Sequence, residues 1–293
     1  MKKAMIIINP SSGKEQAEEN LSRVEDVLKQ RGYLVDIKRT EKEQDATIFA
    51  TNACQNSFDA VISMGGDGTL NEIINGLAEQ PNRPALGIIP LGTVNDFARA
   101  LQIPLDIDEA IQVLELENSR PVDIGKVNDS YFMNIVAVGK IAEASFSVSS
   151  KSKTFLGPLA YFMEGIKTMV SKEILHVRLQ HDHGVWEGES LLILTSLTNS
   201  VGGFEKIAPD AEVDDGLLKC IVIRDVPLFH FAKLAMSVLK GNHVDDPAVE
   251  YISTSSLQLS STQDLCSNID GDQGEELPLN IIVLARHLNV FVP

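Results

Sequence analysis

The stretch SMGGDGTLNEIINGL, residues 63–77, joins an apolar run to a run with helical periodicity through a turn of three glycines and one aspartate. The preceding FDAVISM predicts a buried strand, and a helix is predicted from about Thr69. Glycine turns that lead from a strand into a helix bind phosphate through their backbone N–H groups. Asp67 would repel that anion unless Mg²⁺ came with it, since Mg²⁺ prefers one or two carboxylates together with phosphate oxygens. The turn therefore predicts a phosphate site with a divalent cation, and a solvated turn with a capping Asp67 is the alternative.

The chain before Pro121 alternates short apolar runs with longer amphipathic ones, which is typical of a parallel sheet covered by helices. AMIII, residues 33–37, FDAVISM and PALGII are predicted strands, and helices are predicted over residues 15–31 and 44–55. Four loops follow these strands: NPSSGK, KRT, GGDGT and PLGTVND. In an open α/β sheet ligands bind outside the carboxyl ends of the strands, so we expect these loops to form one crevice.

After Pro121 the pattern changes to a β-rich, antiparallel second domain. The predicted strands are VDIGKVN, YFMNIVAV, ILHVRLQ, SLLILTSL, LLKCIVI and SLQLSS, and helices are predicted around GPLAYFMEGIKTMV and PLFHFAKLAMSVLKG. We place the domains at residues 1–126 and 127–285. The tail strand HLNVFV makes residues 286–293 a candidate return of the chain to the first domain.

Composition excludes several classes of protein. The 293 residues are 44% hydrophobic and 23% charged, with a formal net charge of −16. That charge disfavours binding to nucleic acid and simple adhesion to an anionic membrane. Three dispersed cysteines indicate neither a disulfide framework nor a zinc site. No signal-peptide core and no run of about 18 apolar residues is present, so we expect a cytoplasmic protein whose membrane contact is peripheral.

Two other loops carry groups that suit an anionic ligand. NPSSGKEQ offers backbone N–H groups, serine hydroxyls and Lys14, although an Asn-Pro turn followed by a serine helix cap is the ordinary explanation for such a stretch. PLGTVNDFAR offers Gly92, Thr93 and Asn95 for ribose or phosphate, and a helix cap by Asn95 or Asp96 is the alternative. The chain contains no GxxxxGK[ST] sequence, which excludes a P-loop.

The second half contains two acidic turns, APDAEVDDGLLKC and NIDGDQGEE. Solvent-exposed turns are the ordinary explanation for such sequences. A phosphotransferase, however, needs a carboxylate near the acceptor hydroxyl, and an acidic loop of a second domain is able to supply it.

Six motifs taken together resemble the bacterial members of the diacylglycerol kinase catalytic-domain family of lipid kinases, within the NAD kinase/diacylglycerol kinase-like superfamily. They are NPSSGK, GGDGTLNE, PLGTVNDFAR, VDIG, APDAEVDDG and NIDGD, in the family's order and spanning nearly the whole chain. GGDG alone is shared with NAD kinases and, more loosely, with phosphofructokinases. The resemblance implies ATP- and Mg²⁺-dependent phosphorylation of a lipid hydroxyl, with the nucleotide held between an α/β domain and a β-sandwich domain.

The resemblance also implies roles for particular residues. It places Asp67 at the phosphates, Asp123 of VDIG in a supporting charge network, and a structural Mg²⁺ at the carboxylate of Asp215 and the carbonyl oxygens of Glu212 and Leu217. The implied nucleotide contacts are Asn9, Pro10, Ser11, Ser12, Gly13, Lys14, Thr40, Gly66, Asp67, Gly68, Thr69, Leu70, Asn71, Glu72 and Thr93.

The chain departs from the family pattern in two places. The usual DGE turn reads DGD here, so that Asp272 is the predicted general base, with Asp270 as its partner or substitute. Residues 202–204 read GGF where a third glycine is common.

For the lipid, residues 146–165 place Lys151 and Lys153 beside four large apolar side chains, a pairing that suits a membrane surface. A core-facing helix with two solvated lysines is the alternative. The apolar side chains are Phe155, Leu156, Leu159 and Phe162.

The sequence leaves three questions open. An NAD kinase and a noncatalytic nucleotide or lipid sensor are the alternatives to a lipid kinase. The acceptor is equally compatible with diacylglycerol, phosphatidylglycerol, a sphingoid base or an undecaprenyl-like alcohol. The oligomeric state, a homodimer included, has no readable signal.

Overall fold

The computed structural model describes residues 1–116, 118–139, 174–238 and 240–293. The chain divides into two compact units, the first made of Met1–Ile124 and Arg286–Pro293 and the second of Gly125–Ala285. The predicted membrane-facing lysines and apolar residues of the stretch 146–165 lie outside the described residues, as does the predicted helix GPLAYFMEGIKTMV.

The first unit is built on a parallel sheet. Its strands follow the order β4-β3-β1-β2, and the end of a last strand, β15 (Leu279–Phe291), lies parallel to β4 with Val290 opposite Leu86. The two central strands are almost wholly buried, as expected for a parallel sheet covered on both faces. The strands are β1 (Lys2–Ile8), β2 (Tyr33–Arg39), β3 (Ala60–Gly65) and β4 (Ala85–Pro90).

Helices connect these strands. The longest buries Ala17, Leu21, Val24 and Leu28, the residues at helical spacing in the sequence. The helices are α1 (Gln16–Gln30), α2 (Asp45–Gln55), α3 (Asp67–Leu77), α4 (Asp96–Ala100) and α5 (Ile107–Val113), and a 3₁₀ helix spans Ser12–Glu15.

The second unit is antiparallel and β-rich, so the predicted fold class is confirmed. Its strands are β5 (Ser119–Val127), β6 (Ser130–Phe132), β7 (Ile135–Val138), β8 (Leu175–His181), β9 (Gly184–Ser196), β10 (Leu218–Arg224), β11 (Val249–Thr254), β12 (Ser256–Ser261), β13 (Cys266–Ile269), β14 (Asp272–Glu276) and β15 (Leu279–Phe291). The first part of β5 and the last part of β15 belong to the first unit. One helix, α6, spans Leu228–Val238.

Apolar residues of the second unit form two clusters. Alternation along β8 buries Leu175, Val177 and Leu179 in the larger cluster and leaves the residues between them exposed. Along β10, Cys220 and Val222 join that cluster, whereas Ile221 and Ile223 belong to the second cluster together with side chains from α6. The sheet is therefore covered on both faces around β10.

Two predicted strands differ from the structure. YFMNIVAV is not one strand, because it is interrupted between β6 and β7 where backbone N–H groups bond to a distant carboxylate. The predicted tail strand HLNVFV is the end of a longer strand, β15, which begins at Leu279. That strand continues through Arg286 at a positive φ of 50°. Among the described residues, no helix combines the length and apolar character needed to cross a bilayer.

Asp182 fastens the hairpin between β8 and β9 to the turn between β11 and β12. Its carboxylate accepts hydrogen bonds from the Ser255 N–H and Oγ at 2.7 and 2.8 Å and from the Ser256 Oγ at 2.6 Å. The pKa of Asp182 is held well below its ordinary value, first by the Ser256 hydroxyl and then by Ser255. The ionised carboxylate is thus the form that the fold stabilises.

We expect Asp182→Asn to lower the melting temperature by several degrees at neutral pH. Because the folded-state pKa is depressed, this stabilisation is complete above the unfolded pKa of about 3.9 and is lost as the pH falls below it. The difference in melting temperature between the wild type and Asp182→Asn, measured by thermal unfolding, should be constant from pH 7 to about 5 and should decrease below about pH 4. Asp129→Asn, which changes an exposed aspartate in the turn between β5 and β6, is the control and should show no such gap.

Candidate active site

Asn9 joins the first loop of the first unit to the start of α3. Its backbone N–H donates to the Met64 carbonyl oxygen at 3.0 Å, and its side-chain amide donates to the Thr69 Oγ1 at 3.3 Å. The Asn9 Oδ1 accepts from the N–H and Oγ of Ser11 at 3.1 and 2.8 Å. Asn9 therefore holds the NPSSG loop against the GGDG turn.

The GGDG turn lies against the PLGTVND loop at a distance that only glycine allows. A Cβ atom on Gly66 would lie 3.1 Å from the Cα of Gly92, and one on Gly92 would lie 2.6 Å from the Asn95 Oδ1 and 2.8 Å from the Gly66 Cα. A Cβ on Gly68, in contrast, would meet no atom within 4 Å. Gly66 caps α3 without a side chain, so the first turn of the helix presents backbone N–H groups beside open space.

Asn95 fixes the orientation of Asp67. The Asp67 Oδ2 accepts a hydrogen bond from the Asn95 N–H at 2.8 Å. The Asn95 side chain closes its own loop, because its Oδ1 accepts from the Gly92 N–H at 2.9 Å and its Nδ2 donates to the Gly92 carbonyl oxygen at 3.0 Å. Asn95 is buried and has a left-handed φ of 58°. The Asn95 side chain therefore shapes the PLGTVND loop, and the ribose or phosphate contact that the sequence suggests stays a prediction.

The remaining predicted nucleotide contacts differ in what they offer. Gly13, at φ 62°, is close enough to the fourth loop that a Cβ would lie 3.3 Å from the Leu91 carbonyl oxygen. Thr40 donates its N–H to the Ile8 carbonyl oxygen at 3.0 Å, and Thr93 is exposed. Pro10 and Ser12 lie in the turn and 3₁₀ helix before α1, and the side chain of Lys14 lies outside the described part of the chain.

Three residues of α3 have neighbours that limit their roles. Leu70 is buried, so only its backbone is available to a ligand. Asn71 accepts hydrogen bonds from the Asn75 amide through its carbonyl oxygen and its Oδ1. Glu72 accepts from the Ala46 N–H at 3.1 Å, which places its carboxylate at the N-terminus of α2, where a negative charge is favourable.

Asp123 is buried in β5 and belongs to the first unit. Its Oδ1 accepts a hydrogen bond from the Arg286 N–H at 2.6 Å. Asp123 therefore links β5 to the part of β15 that lies beside β4.

In the second unit, the two acids of the DGD turn occupy different environments. The Asp270 carboxylate accepts three backbone hydrogen bonds, from Met133 at 2.8 Å and from Asn134 and Ile135 at 2.9 Å. Asp272, at the start of β14, is exposed and makes no side-chain hydrogen bond or ion pair within the described ranges. Gly271 between them has a φ of 101°, and its N–H donates to the Asn268 Oδ1 at 2.9 Å.

A chain of buried polar groups that the sequence reasoning missed supports the Asp270 site. The Oδ1 of buried Asn134 accepts from the Thr198 Oγ1 at 3.2 Å, and its carbonyl oxygen accepts from the Ser196 Oγ at 3.2 Å. Thr198 in turn donates to the Ser200 carbonyl oxygen. An asparagine inside the apolar run YFMNIVAV and the hydroxyl-rich TSLTNS were the available signals.

The DDG turn contains its own cation. Lys219 is only 3% exposed, and its Nζ lies 3.2 Å from the Asp215 Oδ2 and 3.6 Å from the Asp210 Oδ2. The other Asp215 oxygen accepts the Leu217 N–H at 2.8 Å. The side chain of Glu212 is exposed.

Lys219 would compete with a Mg²⁺ ion for the DDG turn. Lys219 places a buried positive charge on the carboxylate that the ion would need. The predicted Mg²⁺ ligands, the Asp215 carboxylate and the carbonyl oxygens of Glu212 and Leu217, therefore stay a prediction, and the Lys219 ammonium group is the alternative source of positive charge.

Removing that ammonium should destabilise the second unit. We expect Lys219→Met to lower the free energy of unfolding by about 2 kcal/mol, because it leaves two carboxylates facing each other, with the loss reduced by the exposure of Asp210. Without nucleotide, the melting temperature of the wild type should be the same in Mg²⁺ and in EDTA, whereas Lys219→Met should regain stability in Mg²⁺.

Asp215→Asn in the Lys219→Met background is the matched control, since it should abolish the Mg²⁺ response. A wild-type protein that Mg²⁺ stabilises, and that loses this gain with Asp215→Asn alone, would contradict the assignment.

Comparison with known proteins identifies both halves of the chain. The model of the diacylglycerol kinase catalytic domain matches residues 3–127. The model of the YegS C-terminal NAD kinase beta sandwich-like domain matches residues 134–292.

Curated relatives match over nearly the whole chain. Proteins named diacylglycerol kinase from *Staphylococcus aureus* and *Staphylococcus epidermidis* are each 43% identical over 292 residues, covering 100% of this chain and 93% and 92% of their own length. That from *Staphylococcus haemolyticus* is 42% identical, covering 99% of this chain and 88% of its own length.

A solved structure agrees with the fold of the whole chain. The crystal structure of a diacylglycerol kinase from *Bacillus anthracis* superposes with a TM-score of 0.85 at 28% identity, covering 100% of this chain and 97% of that one. The loops of the first unit, the acidic turns of the second and these full-length matches agree with one another. The chain belongs to the diacylglycerol kinase catalytic-domain family of kinases.

Proposed function

We propose that this protein transfers the γ-phosphoryl group of ATP, with Mg²⁺, to the hydroxyl group of a lipid, and that diacylglycerol is the acceptor. The observation that supports the proposal most is the contact of the GGDG turn with the PLGTVND loop in the first unit. Next to this contact lie the N-terminus of α3, Gly68 with free space beside it, and the carboxylate of Asp67, which Asn95 orients. The names of the curated relatives support diacylglycerol over the other candidate acceptors.

The first unit would bind the phosphates. The backbone N–H groups in the first turn of α3 would bind phosphate oxygens. A Cβ on Gly68, in the same turn, would meet no atom within 4 Å, which leaves space there for a ligand. Asp67, held by Asn95, would hold Mg²⁺ at that position. When bound, Mg²⁺ neutralises charge that develops on the transferring phosphoryl group.

The second unit would supply the proton acceptor. Asp272 is exposed and its carboxylate is available to take the proton of the lipid hydroxyl while the hydroxyl oxygen bonds to the γ-phosphorus and the bond to ADP breaks. Asp270 is saturated by three backbone N–H groups, so we assign it the role of shaping the turn that carries Asp272.

Transfer of labelled phosphate from ATP to vesicles that contain single candidate lipids tests the function. We expect diacylglycerol to be labelled and Asp272→Asn to lower the rate by about 10²- to 10⁴-fold, the usual contribution of a general base. Asp272→Glu restores the residue usual in the family and should retain activity, which separates loss of the base from damage to the turn. Asp67→Asn should also abolish transfer.

Two outcomes of this assay would contradict the proposal. Phosphorylation of NAD to NADP, with no lipid labelled, would indicate an NAD kinase. Tight ATP binding with no transfer to diacylglycerol, phosphatidylglycerol, a sphingoid base or a long-chain alcohol would indicate a sensor. Wild-type rates in Asp67→Asn and Asp272→Asn would contradict the residue assignments.

A pair of glycine substitutions tests the phosphate site separately from turnover. Gly68→Ala should leave the melting temperature unchanged, because its Cβ meets no protein atom within 4 Å, yet it should weaken ATP binding by filling the space assigned to phosphate. Gly92→Ala should lower the melting temperature as well, since its Cβ would collide with Asn95 and Gly66. Calorimetric titration with ATP and thermal unfolding supply the two measurements, and unimpaired ATP binding by Gly68→Ala would contradict the site.

A further inference from the structure

One side of α6 exposes large apolar side chains together with lysines. Phe229 is 83% exposed and Met236 is 56% exposed, and among the described residues only the N-terminal Met1 is a more exposed large apolar side chain than Phe229. Lys233 lies between them in sequence at helical spacing, so the three side chains share one side of the helix. The opposite side is buried through Phe231 and Leu234.

Two more lysines lie near the end of the helix. Lys240 follows α6, and the side chain of Lys206 packs at Gly241, where an added Cβ would lie 3.6 Å from the Lys206 Cβ. Lys206, Lys233 and Lys240 are exposed, and none forms a salt bridge with the described residues. We call this surface the α6 face; it comprises Lys206, Phe229, Lys233, Met236 and Lys240.

The α6 face is basic in a chain that is strongly acidic. The sequence has 41 acidic and 25 basic residues, but no Asp or Glu occurs from Val226 through Val244. Asp246, just beyond this segment, is bonded by the His230 Nε2 at 3.0 Å and by the Ala248 N–H at 2.9 Å. Those partners, the Ala248 N–H first, hold the pKa of Asp246 below its ordinary value. The Lys233 ammonium group also lowers the pKa of Asp246, so this acid interacts with one lysine of the α6 face as well as with Ala248 and His230.

We propose that the α6 face docks the protein on a bilayer surface that contains anionic headgroups. Phe229 and Met236 would enter the boundary between headgroups and acyl chains, and the three lysines would contact lipid phosphates. A second copy of the chain is a poor occupant, because a two-fold dimer through this face would bring its lysines opposite each other. The proposal depends on the exposed face and its charge, and not on the phosphotransfer reaction.

Cosedimentation of the full-length protein with vesicles, in the absence of ATP, tests the proposal. We expect binding to vesicles that contain phosphatidylglycerol, weak binding to phosphatidylcholine alone, and release by salt. Phe229→Ser and Lys233→Glu should each weaken binding by about tenfold or more. Leu34→Ser and Lys29→Glu, which make the same changes at exposed positions of the first unit, should leave binding unchanged.

Three results would overturn the proposal: equal binding by the wild type and both α6 variants, equal binding to neutral and anionic vesicles, or a shift from dimer to monomer caused by Phe229→Ser. Phosphorylation of a short-chain diacylglycerol dispersed in detergent separates this proposal from the kinase proposal. The α6 variants should retain wild-type rates on that acceptor and lose rate only on vesicles. Failure of the wild type to phosphorylate the dispersed acceptor would count against the kinase proposal alone.

Discussion

The close approach of two backbones, at Gly66 and Gly92, is the constraint on which the candidate site depends. β3 and β4 are adjacent parallel strands in register from Ala60 opposite Ala85 to Gly65 opposite Pro90, so the loops that follow them leave the sheet side by side. Without side chains at the contact, the two loops touch through their backbones. This contact lets the Asn95 N–H reach the Asp67 carboxylate. The direction of the α3 N-terminus and the orientation of the acid beside it therefore have one common cause.

The second unit uses a carboxylate in the opposite way. Asp67 is oriented by a single backbone hydrogen bond from a neighbouring loop. Asp270, in contrast, fixes the backbone around it, because three consecutive N–H groups donate to its carboxylate. The strand that includes those groups is interrupted there. Buried Asn134 accepts further hydrogen bonds from the hydroxyl groups of Thr198 and Ser196, which connects the turn to the segment after β9. Asp272, two residues along the same turn, is exposed, and within the described ranges its carboxylate accepts no hydrogen bond.

Local patterns in the sequence were sufficient to predict the βα order of the first unit, the antiparallel second unit and the buried face of α1. They failed where structure depends on residues far apart in the chain. The interruption in YFMNIVAV is caused by Asp270, more than 130 positions away. The role of Asn95 follows from a backbone bond to Asp67 that no local pattern encodes. For the DDG turn, the motif predicted a metal, and no local pattern indicated that the ammonium group of Lys219, four residues beyond Asp215, would lie beside that carboxylate.

The placement of lysines bears on how a protein of net charge −16 meets an anionic surface. Lys219 is buried and neutralises part of an acidic turn from inside, so it adds nothing to attraction at the surface. The lysines of the α6 face are exposed, and two of them, Lys233 and Lys240, lie in a segment without acidic residues, whereas Lys206 follows the exposed Glu205. At physiological ionic strength charges interact over about 8 Å, so the net charge of distant parts of the chain is screened from a membrane that α6 touches. An anionic membrane would consequently repel this acidic chain in most orientations and would bind it when the α6 face is directed at the membrane. The net charge would then help to orient the molecule.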